Sequence, residues 1–277
     1  MPFAFVFPGQ GSQSVGMMSA YGDSPIVRET FDAASRVLSQ DLWELVANGP
    51  EEELAKTINT QPVMLTAAIA VYRLWGEKGG KEPAVLAGHS LGEYSALVAA
   101  GAIAFESAVS LVRFRAEAMQ QAVPVGVGAM AAIMGLDAGK IAAICAAVSD
   151  GAIVEPVNFN GQQIVIAGHQ EAVERAVARC KEEGAKLAKL LPVSAPFHSS
   201  LMKPAAEALA GCAQDGGVRE DHILPTLEEP EVAVRVAVAT GLAAQAEGVA
   251  RRPGTAAELE ARARTAITAA QRLALSW

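Results

Sequence analysis

Short apolar runs closed by turn residues alternate with longer amphipathic stretches along most of the chain. Residues 3–7 form an aromatic-rich apolar run stopped by Pro8-Gly9, the pattern of a buried strand. A loop follows over residues 9–16. Residues 41–48 read as a short helix closed by Gly49 and Pro50. Thr60 as N-cap, with Pro62 in the first turn, starts a helix that runs to Trp75. It is apolar on most faces and is therefore expected to be buried. Residues 84–87 form a second buried strand, followed by helices over 93–100 and 105–121.

From residue 129 the rhythm changes. A strand over 129–136 and a helix over 137–148 are expected first. Strands over 152–157 and 163–167 follow, joined by Asn158-Phe159-Asn160-Gly161. A helix over 171–183, ended by Gly184, precedes a strand over 186–193. The order β-α-β-β-α-β is the split, ferredoxin-like pattern. The expected protein is α/β: a large domain with a parallel sheet, from residues 1–124 and 193–277, carrying a small insert over 125–192.

The tail is different. No lysine follows Lys203, and no aromatic residue stands between Phe197 and Trp277. Val232, Val234, Val236 and Val238 alternate as one face of a strand would, and residues 258–275 read as an Ala-rich helix.

Composition adds bounds. The 277 residues, 51% hydrophobic and 19% charged, suffice for a large core and exceed the usual single domain. A net charge of -8 argues against broad non-specific binding to nucleic acid. The first residues lack the basic region of a secretory leader, and no apolar stretch is long enough to span a membrane. A cytoplasmic monomer is expected. Cys145, Cys180 and Cys212 lie far apart with no CxxC, so neither a metal site nor a disulfide framework is expected. Each reads as a small apolar side chain on a helix.

Gly88-His89-Ser90-Leu91-Gly92 fits G-x-S-x-G between a strand and a helix, the context of a nucleophile elbow. Side chains at 88 and 92 would collide with the tight turn. Ser90-Leu91-Gly92-Glu93 is also S-x-x-E, a capping box, so Ser90 has two readings. Of four histidines, His198 lies in a loop after the last strand of the insert, where a general base could approach from another segment. His89 is too close in sequence to face the same way as Ser90. His169 reads as structural or solvated, and His222 falls in the tail. Arg113 and Arg115 point in different directions on one helix, and the simplest reading leaves both on the surface. Gly9-Gln10-Gly11 after a strand suggests a dinucleotide loop, but Ser14 stands where the third glycine belongs. An α/β serine hydrolase would need an acid between Ser90 and His198; Asp137, Asp150 and the glutamates of the insert read as surface helix or turn residues.

Taken together, residues 5–13, Gly88 to Tyr94 and Arg113-Phe114-Arg115 resemble three signatures of malonyl-CoA:acyl carrier protein transacylases. Gly128-Ala129-Met130, residues 156–160 and the loop 194–202 match as well, in the family's order. The resemblance runs from residue 3 to about residue 212. It implies an α/β-hydrolase-like large domain. It implies Ser90 as acylated nucleophile, His198 as its base and Arg115 as the fork that binds the malonyl carboxylate. The backbone N–H groups of Gln10 and Leu91 would form the oxyanion hole. Met130, Asn158, Asn160 and Phe197 would lie near the acyl pocket. Leu91 after the serine and Phe197 before the histidine resemble the malonyl-selective pattern. The substrates would be malonyl-CoA and a phosphopantetheinylated acyl carrier protein, with no cofactor and no metal. Lys186, Lys189 and Lys203 are candidates for a patch that meets the acidic carrier.

The family's final part carries an Asn-Val-Asp strand, a Pro-Val-x-Trp segment and a Gly-Pro-Gly motif, and a backbone carbonyl there orients the histidine. None of these follows residue 212. A frameshifted, truncated or replaced C-terminus is the expectation, with an exposed sheet edge as its consequence. A serine hydrolase and an inactive relative remain the other readings.

Overall fold

In the computed structural model, β1 (Ala4–Phe7) and β2 (Val85–Gly88) pair in parallel, with Ala4 beside Val85 and Phe7 beside Gly88. The structure describes residues 3–124, 126–193, 195–215, 254, 255, 257, 258, 260–262 and 264. Alternation puts Phe5 and Phe7 on one face of β1. There they meet Tyr72 and Trp75, with ring centroids 5.4 to 6.1 Å apart. On the other face Val6 and Val85 stand open, 70% and 53% exposed.

The helices pack by their apolar stripes. α1 (Pro25–Leu38) was not among the expected elements. Its signals are Pro25 at the first helical position and the spacing of Val27, Phe31 and Ala34, all fully buried. α2 (Leu42–Asn48) is capped by Asp41, which accepts from Glu44 N at 2.8 Å, and α3 (Glu51–Ala55) follows. α4 (Thr57–Glu77) begins three residues before Thr60, and Pro62 lies inside it. The Thr60 hydroxyl bonds backwards, to Leu54 O at 2.5 Å and Lys56 O at 3.0 Å, so it does not cap the helix. α5 (Leu91–Ala99) and α6 (Phe105–Ala122) complete the layer. Phe31, Leu42, Leu65, Ile69 and Val112 form the centre of this core.

The second core belongs to β3 (Gly128–Met134), α7 (Ala138–Val148), β4 (Val154–Asn160), β5 (Gln163–His169), α8 (Gln170–Glu182) and β6 (Leu187–Leu190). The sheet runs β4-β5-β3-β6 and is antiparallel throughout, as the split pattern requires. Ile133, Ile141, Ile166 and Val173 fill the space between sheet and helices. Cys145 and Cys180 are buried there as free thiols, and burial pushes the Cys145 thiol up to about 12. The side chain of Cys212 lies outside the described residues. A third apolar cluster joins Met130, Val165 and Ala167 to Met119 of α6 and to Phe197 and Met202. The result is a mixed α/β protein with a parallel sheet and a small inserted ferredoxin-like unit.

The chain divides into Met1–Leu209 and Ala210–Trp277. α9 (Lys203–Asp215) starts in the first unit. In the second, residues 257, 258, 260–262 and 264 are helical, which falls on the helix expected from Glu258. Thr255 N donates to Glu258 Oε2 at 2.8 Å and Glu258 N to Thr255 Oγ1 at 3.3 Å, a reciprocal cap. The rest of that helix and the valine alternation over 232–238 lie outside the described residues. Among the described residues, no helix is long and apolar enough to cross a membrane.

Phe31 is fully buried and meets the edge of Trp43 at 5.2 Å. Phe31→Ala should lower unfolding stability by about 3–5 kcal/mol in a denaturant titration. A loss below about 1 kcal/mol would contradict the placement of this ring at the centre of the core.

Candidate active site

The site begins at a turn that only glycines allow. β2 ends at Gly88, and Ser90 immediately precedes α5 with φ 53° and ψ -112°. That conformation costs a non-glycine residue about 1–3 kcal/mol and persists only where its surroundings enforce it. The surroundings are tight. A Cβ on Gly88 would stand 2.0 Å from the carbonyl of Gly92, and one on Gly92 would stand 2.1 Å from Phe7 O. Ser90 makes no side-chain bond to the helix N-terminus, so the capping-box reading is overturned. Its hydroxyl meets His198 Nε2 at 2.8 Å instead.

His198 reaches Ser90 from the loop that follows the insert, and it too has a positive φ, 65°. Buried neighbours on both sides, Phe197 and Ser199, hold the loop. Ser199 Oγ donates to Pro196 O at 2.7 Å, and Ser200 N donates to Glu155 on β4. Glu155, expected with the other glutamates of the insert at a helix surface or turn, instead lies on β4 and fastens the loop to the insert. Among the described residues, no acceptor lies within hydrogen-bond distance of His198 Nδ1.

Arg115 turns inward from α6 and is 9% exposed. Its Nη2 donates to Ser90 Oγ at 3.3 Å and its Nη1 to Gln61 Oε1 at 2.6 Å. The guanidinium carbon sits 5.6 Å from the ring centroid of Tyr94, one turn beyond Ser90. Arg113 faces elsewhere and donates to Gln40, so the expectation of two surface arginines is corrected. Packing of α6 against α4 selects which arginine turns in. Gln61, Thr57 and Tyr94 were also missed. The signal for Gln61 and Thr57 was the polar first turn of an otherwise apolar helix, where Thr57, Asn59, Thr60 and Gln61 are all buried.

An arginine can only donate, so Ser90 Oγ accepts from it and keeps its own proton available for His198. In the tautomer that carries its proton on Nδ1, the neutral imidazole accepts the serine proton at Nε2. Desolvation of the ring, then the charge of Arg115, then His89, lower the His198 pKa to about 4. The residue as a whole is open to solvent, which weakens the desolvation part and leaves the Arg115 charge as the firmer cause.

The other expected residues fall in two groups. Leu91 is the first residue of α5, so its N–H has no carbonyl one turn earlier. Gly9 brings the Gln10 loop against the elbow, since a Cβ there would stand 2.9 Å from His89 O. Met130 and Phe197 are 5% exposed and share the apolar cluster with Met119. Asn158 lies beyond a bulge in β4. Asn160 lies at the hairpin end, with Nδ2 3.5 Å from Gln163 Oε1. It is level with Met134, about 13 Å along the sheet from Met130 at the usual rise per residue. His169 Nδ1 accepts from Ile153 N at 2.9 Å, a structural role. His222 lies outside the described residues. Lys186, Lys189 and Lys203 are exposed, with Lys203 3.9 Å from Glu207.

The folded imidazole binds its proton less readily than in the unfolded chain. The stability this confers is present above the ordinary value of 6.5 and is lost as pH falls toward about 4. A nitrogen-15 NMR titration of His198 should therefore show a midpoint well below 6.5, and Arg115→Ala should raise it. A midpoint at or above 6.5 would contradict the arrangement.

The chain is similar to known proteins over most of its length. The acyl transferase domain model matches residues 4–223. Malonyl CoA-acyl carrier protein transacylase of Escherichia coli K12 is 61% identical over 210 residues, covering 75% of this chain and 68% of that protein. The crystal structure of an acyl-carrier-protein S-malonyltransferase from Burkholderia pseudomallei is 50% identical, with a TM-score of 0.78, over 95% of this chain and 93% of that one. A malonyl-transacylase solved with its type II PKS acyl-carrier protein is 46% identical, with a TM-score of 0.78, over 95% and 93%. With an elbow serine, a paired histidine and a buried arginine in place and such relatives in common, the chain belongs to the acyl transferase domain family and, within it, to the malonyl CoA-acyl carrier protein transacylases.

Proposed function

We propose that the chain moves a malonyl group from malonyl-CoA to the phosphopantetheine thiol of an acyl carrier protein, through an ester on Ser90. The observation that carries this reading is the Arg115 guanidinium, buried and 3.3 Å from Ser90 Oγ. Its hydrogen bonds go to neutral oxygens and it makes no salt bridge among the described residues, so it is placed to pair with an anionic group carried by the acyl chain. A neutral ester would bring no such group, which weighs against a general esterase. The relatives' names point to the same substrates.

The exchange runs in two halves. His198 Nε2 takes the Ser90 proton as Oγ attacks the thioester carbonyl. The N–H groups of Gln10 and Leu91 stabilise the oxyanion, and the C–S bond then breaks. CoA leaves as the thiol, taking its proton from the imidazolium. In the second half the carrier thiol gives its proton to His198 and attacks the ester. Ser90 recovers its proton and the malonyl thioester of the carrier is released. Arg115 holds the malonyl carboxylate throughout, and Met130 and Phe197 bound the acyl group. The chemistry needs no cofactor, and we place it in the cytoplasm. We take residues 125–192 as the insert, and 1–124 with 193–277 as the catalytic body.

With labelled malonyl-CoA and a phosphopantetheinylated acyl carrier protein, label should move to the carrier and Ser90→Ala should abolish the transfer. Arg115→Ala should lower the malonyl rate about 100-fold, the equivalent of losing a charged hydrogen-bonded pair. Label released as free malonate with none on the carrier would support a hydrolase instead.

A further inference from the structure

Behind Arg115 the hydrogen bonds continue in one direction. Gln61 is fully buried on α4, and its Oε1 accepts from Arg115 Nη1 at 2.6 Å. Its Nε2 donates to Thr57 Oγ1 at 3.0 Å, one helical turn earlier. Thr57 is 1% exposed, and its hydroxyl donates to Gln10 Oε1 at 2.9 Å. The guanidinium, which can only donate, sets the polarity of the chain as far as Thr57. The Gln61 oxygen must face Arg115, so the Gln61 NH2 must face Thr57. Thr57 then accepts from Gln61, and its hydroxyl is placed to donate to Gln10 Oε1.

Resting on the transacylase reading, we propose that Thr57 is a positioning residue for the reaction: its buried hydroxyl fixes the orientation of the Gln61 amide, and through it the Arg115 guanidinium. The same hydroxyl ties the carboxylate clamp to the Gln10 loop at the elbow. No other link in the chain is a lone hydroxyl that must accept and donate at once. Valine has the shape of threonine and can do neither. In Thr57→Val the Gln61 NH2 would keep only its weak contact to Met119 Sδ at 3.7 Å, and its orientation toward Arg115 would lose the oxygen acceptor that fixes it. Serine retains both functions, so Thr57→Ser keeps the link.

The test compares acylation of Ser90 by malonyl-CoA and by acetyl-CoA, which lacks the carboxylate, in the full chain. Thr57→Val should lower the malonyl-to-acetyl ratio of kcat/KM about tenfold, the scale of one buried hydrogen bond lost from a charged network. Thr57→Ser should keep the ratio within about twofold, a change too small to register as a lost bond. An unchanged ratio in Thr57→Val would overturn the proposal, even if that variant were less stable or slower with both substrates. So would a Thr57→Ser variant as unselective as Thr57→Val. A second measurement does not depend on turnover. Proton exchange of the Arg115 guanidinium, followed by NMR, should quicken in Thr57→Val and stay slow in Thr57→Ser. Slow exchange in Thr57→Val would overturn the proposal. A wild-type chain that takes no malonyl group would instead contradict the transacylase reading, and the exchange measurement would still decide the role of Thr57.

Discussion

The site depends on one guanidinium taken out of water beside a serine. Burying a charge is costly unless hydrogen bonds replace its hydration. For Arg115 these come from Gln61 and Ser90, with the Tyr94 ring close by. Glu93 lies near enough to favour the charged form electrostatically, while its own carboxyl is pushed up by burial. The field of Arg115 in turn favours a neutral His198 and leaves that imidazole free to accept a proton. The same charge that selects an anionic acyl group therefore prepares the base.

The remainder of the fold holds three segments at this point. β2 and α5 deliver Ser90 through a turn in which Gly88 and Gly92 leave no room for a Cβ. α4 contributes the polar first turn that supports the guanidinium. The loop after β6 delivers His198, and it is fixed from the insert by Glu155 and by the apolar cluster around Met130 and Phe197. The insert thus sets where the histidine stands.

What the sequence revealed follows from how local each signal was. The elbow was legible because its steric demand lies within five residues, and the strand, turn and helix around it are continuous. The β-α-β-β-α-β order was legible because each element of the insert pairs with neighbours through clear apolar alternation. Two readings of Ser90 stayed open, since a capping box and an elbow share the same letters. Backbone geometry at φ 53° separates them, and no residue pattern encodes that. Choosing between Arg113 and Arg115 required knowing which face of α6 meets α4. Gln61 and Thr57 were passed over because the pattern of their helix was judged by its apolar residues. Its buried polar residues were the functional signal. α1 was missed although Pro25, Val27, Phe31 and Ala34 marked it.

The central claim is that nucleophile, base and clamp assemble within Met1–Leu209 into a site that accepts a malonyl group. The most direct measurement is the intact-protein mass after brief mixing with malonyl-CoA, without any carrier protein, beside a Ser90→Ala control. The account predicts one added malonyl group on the wild type and none on the control. A folded wild type that gains no mass, or a control that gains the same mass, would contradict it.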